Sequence, residues 1–231
     1  MKTFRGIVFL VNCCKLFYEI LNIIHLMNHR NFFIAAGLII CSLNLRAQDQ
    51  QELFWKAAKT NDTLSLKEFL DKGMDVNVRN HYGCTALTFA ADKGNQEAVN
   101  LLLEKGADPN LKDSFYGDTP LGWAIYKKRS GIIKSMINHG GDIKNEDVIL
   151  NAANAGLTDV VKFMLQKGAP GAKTVVFSAI SRNDTSMFFA AFPYLIKNDS
   201  TLTEALVKAT AKKNERIVTV LKEAGAKMPE R

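Results

Sequence analysis

Ligating and nucleophilic side chains are scarce in this chain. Its 231 residues include four cysteines and four histidines. Cys13, Cys14, Cys41, His25 and His29 all precede Gln48, which leaves Cys84, His81 and His139 for the rest. A single cysteine closes no intramolecular disulfide, so an oxidising compartment would offer this segment no staple. Two histidines in unrelated contexts, without spaced cysteines, make neither a zinc set nor a catalytic pair. A glycine-rich phosphate loop is missing too: Gly140-Gly141 and Gly168 to Gly171 fall where turns between helices belong. No enzyme, metal or cofactor is expected. His139, just ahead of a helix-ending glycine, reads as a C-terminal capping residue, and Cys84 as a tolerated turn residue.

Charge excludes little once it is divided along the chain. The formal net charge is +7. Residues 1–47 hold five bases (Lys2, Arg5, Lys15, Arg30, Arg46) and one acid (Glu19), which leaves 25 bases and 22 acids, a net +3, in 48–231. The basic balance therefore supports no nucleic-acid partner. Within 1–47, the stretch from Met27 has the order of a secretory signal peptide. His29-Arg30 comes first, then an apolar run from Phe32 to Leu43, then Leu45-Arg46-Ala47. The run is too short to span a bilayer comfortably. Cleavage after Ala47 and a start at Met27 are the expectation, with a periplasmic or secreted mature chain. The alternative is a membrane-tethered scaffold anchored by residues 7–26, where Lys15, Glu19 and His25 would be costly in lipid. Leu38-Ile39-Ile40-Cys41 has the outline of a lipobox, but bulky Ile40 stands where a small residue is needed.

What the remainder has in quantity is a recurring helical unit, clearest over Asn80 to Asp113. Thr85 is a good N-cap, and Leu87, Ala90 and Ala91 share one helical face. Gly94 ends that helix, a second one buries Val99, Leu102 and Leu103, and Gly106 ends it in turn. Neither helix is long enough to stand alone in water, so the unit must stack on neighbours. Gly73, Gly106 and Gly140 are spaced by 33 and 34 residues, and Gly168 follows after 28, across a shortened turn. Small pairs expected to open each first helix keep step: Ala57-Ala58, Ala90-Ala91, Ala124-Ile125.

The period and these motifs resemble the ankyrin repeat. Thr85-Ala86-Leu87-Thr88 and Thr119-Pro120-Leu121-Gly122 stand where that family has Thr-Pro-Leu-His. The histidine is missing from both, so its usual hydrogen bonds must be weakened or replaced. The resemblance implies an all-α ankyrin-repeat solenoid of stacked helix-turn-helix units with short β-turn fingers. One domain, 48–231, is expected, with repeats at about 52–79, 80–113, 114–146, 147–173, 174–200 and 201–228. The first and last suit polar caps, and Pro193 should break the second helix of the fifth. Asn61, Asn183 and Asn198 lie in glycosylation sequons, the first two at turns that want a left-handed residue.

Ankyrin proteins as a family bind partners through turn tips and the concave face of the first helices. Carried over, this gives His81, Tyr82 and Cys84 on one tip with Asp92 and Lys93 on its helix. Phe115, Tyr116 and Asp118 stand on the next tip, with Tyr126 and Lys127 on its helix. The expectation is a monomer that binds a protein and, once mature, no membrane. Resemblance to exported bacterial ankyrin proteins implies an immunity protein or a helper to an exported enzyme, and the residues choose neither. Phe89 and Trp123 occupy positions usually packed between repeats and are expected in the core. Arg182 and Lys212 would continue the face as a basic edge.

Overall fold

The computed structural model describes residues 48–196 and 198–229. The leader, its cleavage point, the 7–26 stretch and Cys41 lie outside them. The chain divides into two units, 1–52 and 53–231, and the fold below is that of the second.

Helices come in antiparallel pairs, each a short first helix, a tight turn and a second helix. They are α1 (48–60) with α2 (Thr63–Asp71), α3 (Ala86–Lys93) with α4 (Gln96–Glu104), and α5 (Pro120–Tyr126) with α6 (Ser130–Asn138). Then come α7 (Glu146–Asn154) with α8 (Thr158–Gln166), α9 (Ala172–Ser181) with α10 (Thr185–Ala191), and α11 (Asp199–Ala211) with α12 (Glu215–Glu223). No strand occurs among the described residues. From α3 onward, first helices pack on first helices and second on second, which makes a row. No described helix is long and apolar enough to cross a membrane.

The local causes are those the sequence carries. Thr85 accepts from the Thr88 N–H, and the Thr88 hydroxyl accepts from the Thr85 N–H, a reciprocal cap. Thr119 caps α5 through the Gly122 N–H, with Pro120 at the first helical position. The turn inside each pair is left-handed, whatever its residue: Asn61, Gly94, Lys128, Gly156, Asn183 and Lys213 have φ of 59°, 80°, 56°, 79°, 58° and 55°. After α10 the chain tightens into a 3-10 turn, Phe192–Tyr194, at Pro193. The last pair starts at Asp199, two residues before the expected 201, because Asn198 caps α11 through the Thr201 N–H.

The core is a single strip of aliphatic and small side chains running the length of the row, from Phe54 through Leu87, Leu102, Ile133, Met164 and Val176 to Leu221. The alanine pairs lie inside it, but toward the ends of their helices rather than the openings: Ala90 and Ala91 fall in the second half of α3. Polar rungs join successive pairs. Asn77 accepts from the Asp108 N–H and donates to the Gly106 carbonyl, and Asn110 repeats both bonds one pair on, to Asp142 and Gly140. Asn95 donates to the Ala58 and Lys59 carbonyls at the end of α1. Asn214 reaches Asn183 and Thr185. The bonds donated by Asn77, Asn95 and Asn110 satisfy carbonyls at or just past helix ends that would otherwise be left unpaired.

Candidate functional site

Two turn tips and two first helices bring the expected residues together. The tip before α3 is built by Asn80, whose side-chain oxygen accepts from the Tyr82 and Cys84 N–H groups at 3.0 and 2.9 Å. Asp113 does the same work one pair on, accepting from the Phe115 and Tyr116 N–H groups at 2.9 and 2.6 Å. Such side-chain turns substitute for a backbone turn and fix where the following residues point. The tips are also tied to each other. Ser114 N–H donates to the Tyr82 carbonyl at 2.7 Å, and the Arg79 guanidinium donates to both Gly83 and Lys112 carbonyls. Gly83 is required at this junction: it has φ of 75°, and a Cβ there would stand 2.8 Å from the Ser114 backbone nitrogen.

The result is a continuous series of aromatic contacts. Ring centroids step from His81 to Tyr82 (3.7 Å), Phe115 (6.2 Å), Tyr116 (4.5 Å), Trp123 (5.4 Å) and Tyr126 (6.1 Å). From Tyr82 onward each pair meets edge to face, the arrangement the ring quadrupoles favour. These are not core rings. Tyr82 is 50% exposed, Phe115 67%, Tyr116 69% and Tyr126 71%. Aromatic side chains are enriched where protein surfaces meet.

Trp123 corrects the expectation of a core position. It is half-buried, with its indole N–H donated to Asp113 at 3.0 Å and its ring joining the tip to Tyr126. Phe89 is likewise half-buried, its face covered by the Lys59 ammonium at 4.0 Å. In both cases a bulky side chain leans out of the strip that small residues such as Ala90 and Ala124 fill.

Asp113 is the residue the sequence concealed. Only 4% exposed, it is the acid on which tip and helix converge. Burial pushes its carboxyl up, but the Tyr116 N–H, the Trp123 indole and the Phe115 N–H together hold it below the ordinary aspartate value. Its alignment with Asn80, 33 residues earlier, was the available signal. Asp118 is less free than expected: half-buried, it accepts from the Thr119 N–H and lies against Gly122, so it helps start α5.

Asp92 sits between Lys93 and Lys127 at 3.1 and 3.2 Å. Partial burial raises its carboxyl, yet the two ammoniums outweigh that and keep it low. Lys127 also lies over the Tyr126 ring at 5.4 Å. Cys84 is half-buried behind the tip. Desolvation, and then the Asp113 carboxylate, push its thiol up, away from reactivity. His139 caps α6, its ring bonded to the Ser135 carbonyl at 2.8 Å. Arg182 does not form a free basic edge, because it donates to the Ala153 carbonyl at 2.9 Å and to Asn154. Among the described residues no group of three or more His, Cys, Asp or Glu stands ready to hold a metal ion.

Residues 13–113 match the family model described as ankyrin repeats (3 copies). Among curated proteins, the B-cell lymphoma 3 protein homolog of Mus musculus is 34% identical over 101 residues, 42% of this chain and 22% of that protein. The ankyrin repeat and KH domain-containing protein mask-1 of Caenorhabditis elegans is 32% identical over 132 residues, 57% of this chain and 5% of its own. Human mitochondrial disaggregase is 35% identical over 82 residues, 36% of this chain and 12% of that one. The chain thus spans less than a quarter of each of these relatives. The crystal structure of the human ASB11 ankyrin repeat domain superposes with a TM-score of 0.58 at 20% identity, covering 77% of this chain and 86% of that one. The fold is therefore the all-α ankyrin-repeat solenoid. That fold is typically an interaction scaffold for proteins rather than an enzyme.

Proposed function

We propose that this chain is a scaffold, six repeats long, that grips a protein partner through the tips and inner helix face of its second and third repeats. The observation that carries the reading is the unbroken run of rings from His81 to Tyr126, all but half-buried Trp123 exposed, yet fixed in place. Arg79, Asn80 and Asp113 fix the tips before any partner arrives, so little ordering cost falls on binding. Asp92, Lys93 and Lys127 form a charged border beside the rings, as interface rims do.

The test is Tyr116→Ala. Tyr116 is mostly exposed and touches only neighbouring rings at their edges, so thermal stability should change by less than about 0.5 kcal/mol. Partner captured from the native source, and identified by mass spectrometry, should be lost. A large fall in melting temperature with capture retained would make Tyr116 a structural residue and end this reading.

The scaffold is also proposed to act outside the cytoplasm. The support is the order of charges and apolar residues over 27–47. Amino-terminal sequencing of the exported chain tests it: Gln48 as first residue agrees, and a chain retaining 7–26 argues for the tether instead.

A further inference from the structure

The charge around the rings narrows the class of partner, an inference that rests on the binding surface proposed above. Lys59, Lys93, Lys112, Lys127 and Lys128 are all exposed along the first three pairs. The acid among them, Asp92, is already shared by two of these ammoniums. Asp113 is buried beneath its tip and Asp118 is turned to the start of α5. A segment that is close to balanced overall therefore presents a cationic face at the rings. Lys112 and Lys128, together with Tyr126, line a shallow cleft of about 650 Å³ between α5 and α7. Among the described residues neither ammonium has an ion-pair partner. Asp118 also lines the ring side and Asp147 and Asn151 stand on the cleft's other wall, so the ring side keeps an excess of one positive charge, two lysines against one aspartate.

We infer that the partner presents an extended acidic segment, with apolar or aromatic side chains between its carboxylates, along this face. Carboxylates would meet Lys112 and Lys128, and the intervening side chains would meet the rings of Tyr116, Trp123 and Tyr126. A protein suits the surface better than a single-stranded nucleic acid. Bases need open, parallel ring faces, whereas these rings abut one another edge to face. The guanidinium of Arg79, which could fork onto phosphate, is committed to two carbonyls. The exposed lysines beside the rings are point charges that accept a carboxylate from any side.

The experiment selects from a display library of random peptides about 12 residues long, using the full chain as bait. Parallel selections use Tyr116→Ala and the double variant Lys112→Glu, Lys128→Glu, each checked by circular dichroism. The expected result is enrichment of net-negative peptides containing apolar residues on the natural chain. Synthesised, they should bind the double variant about tenfold or more weakly, a gap that closes near 0.5 M salt. Neutral or basic winners, or equal binding to the double variant, would overturn the acidic partner and leave the binding surface standing. Failure to enrich any peptide over the Tyr116→Ala bait would overturn the binding surface itself. Labelled oligo(dT) or oligo(U) binding more tightly than the selected peptides would point to nucleic acid and refute the inference.

Discussion

Replacing Asp113 should separate the tip from its helix in two graded steps. In Asp113→Asn the oxygen that accepts from the Phe115 and Tyr116 N–H groups can be kept, since Asn80 makes that turn one pair earlier. The other oxygen, which accepts the Trp123 indole N–H at 3.0 Å, becomes a donor and that bond is lost. A bond to a charged acceptor contributes about 1.5–3 kcal/mol; half-exposure of Trp123 lets water recover some of it, so the cost is about 1 kcal/mol. Asp113→Ala loses all three bonds. The two backbone groups belong to exposed residues and regain water, so the total is about 2–3 kcal/mol rather than the full sum. For an array of this length that is a fall of roughly 5–10 °C in melting temperature. The assay is thermal unfolding together with Trp123 fluorescence in a Trp55→Phe background, because the chain has two tryptophans. Emission should shift to longer wavelength in both variants, while only Asp113→Ala loosens Phe115 and Tyr116. A melting temperature unchanged in Asp113→Ala, or an unshifted Trp123, would refute the reasoning.

The same carboxyl sets a pH dependence. Its folded pKa lies below its unfolded one, so between the two the unfolded chain binds the proton and stability rises with pH. The contribution should be complete above the unfolded value, about 3.9, and lost as pH falls through the lower folded one. Acid titration of Trp123 emission, flattened in Asp113→Asn, measures it. Gly83→Ala combines a left-handed φ with a clash against the Ser114 backbone, and should cost about 2 kcal/mol or more. Gly73→Ala, at φ of 90° with nothing within 4 Å, should cost about 1 kcal/mol, and urea unfolding compares the two. Lys213 holds a left-handed turn that glycine would hold unstrained, so Lys213→Gly should raise stability by about 0.5–1 kcal/mol in the same assay. Asn214→Ala removes the bonds to Asn183 and Thr185 and the cap on Ile217. Hydrogen exchange should then quicken over 199–223 and leave 86–138 unchanged.

The repeating unit was legible because its determinants are local. Thr85, Gly94 and Gly106 each act on their own turn, and the period emerges when the same acts recur at Thr119, Lys128 and Gly140. Tip residues were legible for the same reason, since Tyr82, Phe115 and Tyr116 follow directly from where the turns fall. Trp123 and Asp113 were not. One looks like a core residue by register and the other like an ordinary turn acid, and their meaning comes from a bond ten residues apart closed only by the fold. Asp118 misled in the opposite sense, because a residue beside a tip can spend its carboxylate on the helix that follows.

The rungs at Asn77, Asn95, Asn110 and Asn214 each reach to the adjoining pair and no farther. Nothing in such a ladder counts its own length. The size of the molecule is thus free to drift over generations, while the paired fingers, cross-tied through Arg79, must be inherited as one piece.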